Sequence, residues 1–184
     1  MEIVLEQCVL REWRLRDEAA LTRHANNKNV SRYLSDIFPY PYTVADASAW
    51  LGRHVGVDPP RQLAIVIDGE PVGGVGVAIG KDIQRRSAEL GYWLGEEYWG
   101  RGIVTACVRA MTAYAFATFD LAHIIAGIFE PNIGSRRVLE KAGFELEGRL
   151  RMHVTKDGVT SDDLVFGLVR PGLQGSRGRR SSPM

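Results

Sequence analysis

The stretch Tyr98-Trp99-Gly100-Arg101-Gly102-Ile103-Val104-Thr105-Ala106 decides how this chain is read. It joins a strand-like run, Glu89 to Leu94, to a helix-like run, Thr105 to Thr118. Gly100 and Gly102 lack a Cβ, so the backbone there can take unusual dihedrals and lie close against another group. The first N–H groups of the following helix have no partner inside the helix, and its positive dipole end favours an anion. Glycines at such a helix mouth point to a phosphorylated cofactor.

Working outward, the alternation of Ile3 to Leu10 predicts a first strand, and Asp17 to Ala25 and Asn29 to Leu34 predict helical pieces. The prolines of Phe38-Pro39-Tyr40-Pro41-Tyr42 exclude a continuous helix. Thr43 reads as the N-cap of a helix reaching about His54. Gln62 to Ile67, Pro71 to Ile79 and Arg86 to Leu94 form a meander, with Asp68-Gly69 as a hairpin turn. Gly73, Gly74 and Gly76 mark weakness, a bulge or close packing in its middle strand. Ala122 to Phe129 follows a helix and is therefore expected to pair parallel with the strand before that helix. Asn132 caps a helix that Gly143 ends. Phe144 to Val154 and Val159 to Val169 close the chain as a hairpin around Asp157-Gly158. The expected fold is α/β: one mixed, mostly antiparallel sheet with a central parallel pair, flanked by helices.

The 184 residues, 45% hydrophobic and 24% charged, have the composition of a single ordinary globular domain, placed at 1–170. Residues 171–184 carry three arginines and no acid, and read as a disordered basic tail. The rest holds 20 basic and 22 acidic residues, which argues against nucleic acid as a partner. No apolar run approaches a membrane span, and the N-terminus lacks the features of a signal peptide. Cys8 and Cys107 have no ligand spacing and read as reduced, buried thiols of a cytoplasmic protein. His24, His54, His123 and His153 show no metal spacing, so no metal is expected.

Four pieces in this order and spacing carry a resemblance: Ala88-Glu89-Leu90-Gly91-Tyr92-Trp93-Leu94, Tyr98-Trp99-Gly100-Arg101-Gly102, Pro131-Asn132-Ile133-Gly134-Ser135-Arg136-Arg137 and Lys141-Ala142-Gly143-Phe144. Over residues 3 to 170 the chain resembles the GNAT superfamily of N-acetyltransferases. Within it, the likeness is to the branch that acetylates N-terminal amines of ribosomal proteins (the RimJ/RimL type). The resemblance implies acetyl-coenzyme A as acyl donor and a ternary complex in which the amine attacks directly. It implies a glycine loop of the form Arg/Gln-x-x-Gly-x-Gly/Ala around the pyrophosphate, here Trp99, Gly100, Arg101, Gly102, Ile103, Val104 and Thr105. Glu97 stands where Arg or Gln is usual, and Arg101 is the charge that can replace it.

The resemblance further implies that the strands at Tyr92–Leu94 and Ile124–Phe129 splay, and that the pantetheine arm fills the gap along Trp93, Leu94 and Gly95 with help from Asn132. It implies a proton acceptor at Glu89, whose pKa burial would raise, and a backbone N–H near Leu94 on the thioester carbonyl. The tyrosine many members use against the leaving sulfur falls at Leu139, which has no proton to give. This branch carries Ser135 instead, as acid or hydrogen-bond donor. Tyr33, Phe38, Tyr40 and Tyr42 are candidates for the acceptor wall, and Asp162 and Asp163 for attracting a cationic amine. The acceptor class stays open between a protein N-terminus, an amino acid, a polyamine and an antibiotic, and the oligomeric state between monomer and homodimer. A non-catalytic acyl-coenzyme A-binding domain of the same fold remains the alternative. A dinucleotide site fails, because the third glycine position is Thr105 and Asp120 precedes the next strand.

Overall fold

The computed structural model describes residues 1–173; the rest of the tail predicted over 171–184 lies outside the described residues. Eight strands, β1 (Glu2–Val4), β2 (Val9–Glu12), β3 (Gln62–Ile67), β4 (Glu70–Ile79), β5 (Ser87–Leu94), β6 (His123–Phe129), β7 (Glu145–Lys156) and β8 (Val159–Val169), build one sheet. Its order is β1-β2-β3-β4-β5-β6-β8-β7, antiparallel everywhere except between β5 and β6. The helices are α1 (Glu18–Ala25), α2 (Lys28–Ser31), α3 (Val44–His54), α4 (Ile103–Thr118) and α5 (Ile133–Ala142).

The two hairpin turns form as their residues dictate, with Asp68 at φ 49°, Gly69 at 84°, Asp157 at 50° and Gly158 at 77°. Thr43 caps α3 in a reciprocal pair with Asp46. The expected first strand Ile3–Leu10 is corrected. It is two antiparallel strands, because a bond from Leu5 N to Cys8 O turns the chain at the exposed pair Glu6-Gln7. The helix expected over Asn29–Leu34 is shorter and earlier, since Asn27 caps it by accepting from the Asn29 and Val30 amides.

Strand alternation divides the interior in two. Leu63, Ile65, Val75, Ala88, Leu90, Ile124 and Phe166 face α4 and α5; Ala64, Val66 and Trp13 face α1 and α3. The β4 glycines are close-packing devices: a Cβ on Gly73 would stand 2.5 Å from the Trp93 carbonyl. Cys8 and Cys107 are buried free thiols with sulfurs 3.5 Å apart.

Two histidines set an acid limit on this fold. His54 lies against Trp50 with ring centroids 4.5 Å apart, and burial, then Arg53, hold its pKa below the ordinary value. Burial also lowers that of His24, against the pull of Glu97. The unfolded chain, with histidine near 6.5, therefore binds more protons than the native one just below that pH. Stability should fall as pH drops through about 6.5 and level off once the native histidines titrate. Asp46 and Asp162, whose pKa values are lowered by hydrogen bonds, act only below the ordinary carboxylate range. Urea midpoints should thus drop between pH 7 and pH 5, and His54→Gln should remove part of that slope. A midpoint independent of pH across that window would contradict the assignment.

Candidate active site

The parallel pairing of β5 with β6 covers Ser87–Glu89 against His123–Ile125 and goes no further. Beyond it each strand follows its outer partner. β5 stays with β4 to Gly73↔Leu94, and Gly95 N still donates to Val72 O. β6 stays with β8 to Phe129↔Asp163, and Glu130 N donates to Asp162 O. The two strands are pulled apart into a notch, so Tyr92–Leu94 lies along its edge rather than pairing with β6. Because Gly95 N–H points to β4, alternation turns the Leu94 N–H and C=O into the notch. The carbonyl accepts from the Trp99 indole at 2.7 Å, which leaves the amide for a ligand.

At the notch's end Gly100 (φ 76°) and Gly102 (φ 79°) adopt left-handed backbone, and Gly102 is the N-cap of α4. A Cβ at either would touch nothing within 4 Å, so the protein's own packing does not demand these glycines; the backbone conformation does. Ala106 N donates to Gly102 O, while the amides of Ile103, Val104 and Thr105 precede the first intrahelical bond. Ile103 contributes only its backbone, because its side chain is buried in the core. Arg101 folds back: its guanidinium donates to Glu97 O at 2.9 Å and lies 5.5 Å from the Tyr98 ring centroid. Trp99 is half exposed beside the loop.

Glu97, which stands where Arg or Gln is usual, is turned toward α1. Glu97 Oε1 stands 3.2 Å from His24 Nδ1 in α1, and the other His24 nitrogen is 2.6 Å from Glu70 Oε1. Glu96 accepts from Asn27 and Asn29 at 2.8 Å each. Gly95 makes room for this arrangement, since a Cβ there would come 3.0 Å from His24 Nδ1.

Across the notch, Asn132 caps α5 by accepting from Ser135 N at 3.1 Å, and its amide nitrogen remains a donor. Ser135 Oγ lies 2.5 Å from the phenol oxygen of Tyr92 on β5. Tyr92 was absent from the predicted site. The signal was present, since Ala88, Leu90 and Leu94 put even-numbered residues of β5 on the α4 side. Burial pushes the Tyr92 pKa up to about 12, against the hydrogen bond to Ser135. Leu139 is fully buried in the core, well suited to packing and to nothing else.

Glu89 sits at the last paired position, in register with Ile125, where the notch begins. Its side chain is on the face opposite α4, with Gly91 and Trp93, and it is exposed rather than sunk in a dry cleft. On that face Tyr33 lies 6.0 Å from Phe129 between ring centroids, and Phe38 packs on Trp93 at 5.5 Å. Tyr40 is exposed. Tyr42 is corrected: at 4% exposure it belongs to the second core beneath Phe38, not to a binding wall. Asp162 is also corrected, because its carboxylate is satisfied by Met152 N and by the Arg149 side chain, which lower its pKa. Asp163 pairs with His153 at 3.3 Å and packs against Gly127. Among the described residues, no group of three or more His, Cys, Asp or Glu gathers as a metal site, and no helix is long and apolar enough to cross a membrane.

A sheet split at its one parallel pair, with a glycine loop and a helix N-terminus at the mouth, is the architecture of an acyl-coenzyme A-binding fold. The family description "Acetyltransferase (GNAT) domain" matches residues 7–145, and the chain belongs to that family. It is similar to the probable N-acetyltransferase YjcK of Bacillus subtilis, 43% identical over 47% of this chain and 48% of that protein. It is also similar to the spermidine N(1)-acetyltransferase of Escherichia coli K12, 29% identical over 70% of this chain and 67% of that one. The chain spans about half the length of the curated relatives it matches first. Among solved structures it is similar to Mycobacterium smegmatis RimJ in complex with CoA-disulfide (TM-score 0.73, 28% identity, 88% of this chain and 81% of that one). RimL, a ribosomal L7/L12 alpha-N-protein acetyltransferase in complex with coenzyme A, shares the fold (TM-score 0.80, 20% identity, 91% and 96% covered).

Proposed function

We propose that this chain transfers the acetyl group of acetyl-coenzyme A to a primary amine, most readily a protein N-terminal α-amine. The observation that carries the reading is the notch closed by the Gly100–Thr105 turn, with a backbone amide of Leu94 facing into it. Acetyl-coenzyme A supplies an activated acyl thioester. The amides of Ile103, Val104 and Thr105 would hold its pyrophosphate. The Trp93–Gly95 backbone and the Asn132 amide nitrogen would hold the arm, and the Leu94 N–H would stabilise the developing oxyanion. Glu89 takes the proton that the attacking amine must shed, and the Ser135 hydroxyl faces the departing sulfur.

Amine acidity favours the acceptor class. At pH 7 roughly a tenth of an α-amine with pKa near 8 is neutral, against a few parts in ten thousand of a lysine near 10.4. Tyr33, Phe38 and Tyr40 are kept as acceptor contacts, and Asp163 as the carboxylate on that face. A screen with labelled acetyl-coenzyme A against N-terminal peptides, amino acids, polyamines and aminoglycosides, read by thiol release, tests the reading. Peptide α-amines are expected to turn over fastest. The second reading, a non-catalytic acyl-coenzyme A-binding domain, draws on the exposure of Glu89 and the apolar Leu139. Tight donor binding without turnover of any amine would favour it.

A further inference from the structure

The bond between Tyr92 and Ser135 joins the two sides of the notch, one partner on β5 and the other in the first turn of the helix that follows β6. Two hydroxyls 2.5 Å apart share one proton between them, and which one donates decides what the other can do. Relative acidity settles the direction. A phenol, with an ordinary pKa near 10, is a far stronger donor than an aliphatic hydroxyl, whose oxygen is the better acceptor. The phenol proton therefore goes to Ser135 Oγ at 2.5 Å, while Ser135 O, at 3.4 Å, is a distant second acceptor. A serine that accepts through Oγ keeps its own proton for a third group. The Ser135 amide is already committed to Asn132 Oδ1, which fixes the first turn of α5 and leaves the hydroxyl little choice of position.

We propose that Tyr92 is a positioning residue for thiolate stabilisation: it donates to Ser135 Oγ and so turns the serine proton toward the coenzyme sulfur. This rests on the acetyl-transfer reading of the same notch. No covalent step passes through Tyr92. Its raised pKa suits the role, because a phenol that stays protonated throughout the working range is a permanent donor. The hydroxyl missing at Leu139 on α5 is thus supplied in part from the opposite strand.

The test compares coenzyme A with acetyl-coenzyme A, whose sulfur cannot ionise. Calorimetry at pH 9, where a free thiol is largely thiolate, reads the sulfur contact without needing turnover. Tyr92→Phe should weaken coenzyme A about tenfold, the worth of one hydrogen bond to a charged group, and acetyl-coenzyme A less than twofold. Ser135→Ala should do the same, Ser135→Thr should restore the preference, and the double variant Tyr92→Phe/Ser135→Ala should be no worse than Ser135→Ala alone. In turnover, Tyr92→Phe should lower kcat with the donor KM within twofold. Ser135 is half-buried in the first turn of α5, and an unchanged ratio of the two affinities in Ser135→Ala overturns the proposal even where Tyr92→Phe fails to fold. An unchanged ratio of the two affinities in Tyr92→Phe, or effects that add in the double variant, would overturn the proposal and leave the acetyl-transfer reading intact. Failure of the wild-type chain to bind either ligand would overturn both.

Discussion

Gly102→Val is expected to raise the dissociation constant for acetyl-coenzyme A by about a hundredfold. Gly102 has φ 79° at the N-cap of α4, a conformation that costs a non-glycine residue about 1–3 kcal/mol and a β-branched one the upper part of that range. The protein itself has room for the added Cβ, which would meet nothing within 4 Å. The cost falls instead on the backbone, which relaxes out of left-handed geometry and swings the amides of Ile103 and Val104 off their common aim. A hydrogen bond to a charged group is worth about 1.5–3 kcal/mol, so two misdirected amides account for a loss of this size. The control is Gly158→Val in the β7–β8 turn, at φ 77° and equally open. Both variants should lose about 2–3 kcal/mol of stability, but only Gly102→Val should lose the ligand. Equal calorimetric affinities for the two would remove the loop from the site.

What could be read from the sequence divides by the range of the interaction. Asp68-Gly69, Asp157-Gly158, Thr43, Asn132 and Gly143 each act within four residues, and each forms the turn or cap its chemistry requires. The parallel β5–β6 pair follows equally well, because a helix between two strands leaves a crossover as the simple connection. The break in the first strand was in fact legible: Ile3 and Leu5 alternate on one parity and Cys8 and Leu10 on the other, and the change of phase falls at Glu6-Gln7, where the chain turns. Side-chain partners distant in sequence were beyond reach. The contact of Glu97 with His24 holds that carboxylate toward α1, and nothing local to either residue announces it. The same holds for Arg149 on Asp162, which turns an apparent ligand group into a structural one. Among the aromatics, composition could not distinguish Tyr42, in the core, from Tyr40, in solvent, two residues apart in one loop.

Glu89→Gln should lower kcat about a hundredfold at pH 7, the lower bound for loss of a positioned general base. Glutamine keeps the shape and removes the basicity, and Glu89 is exposed with Ile125 as its strand partner, so neither folding nor donor binding should change. The pH profile then separates mechanism from damage. With no residue to take the proton, the variant depends on amine that is already neutral. For an α-amine that fraction grows about tenfold between pH 7 and pH 9 and then saturates. The activity of Glu89→Gln should climb in step and flatten above about pH 9, while the wild type rises less. An acceptor of lysine type would keep the variant climbing to beyond pH 10, so the same curve reports the class of amine. Asp163 is the next carboxylate on this face, opposite Phe129 on the neighbouring strand. If Glu89→Gln follows the wild-type profile and Asp163→Asn acquires the steep one, the proton acceptor is Asp163. If Glu89→Gln alone acquires it, the carboxylate at the fork of β5 and β6 is the base, and its exposure in the free protein is the open state into which the two substrates enter.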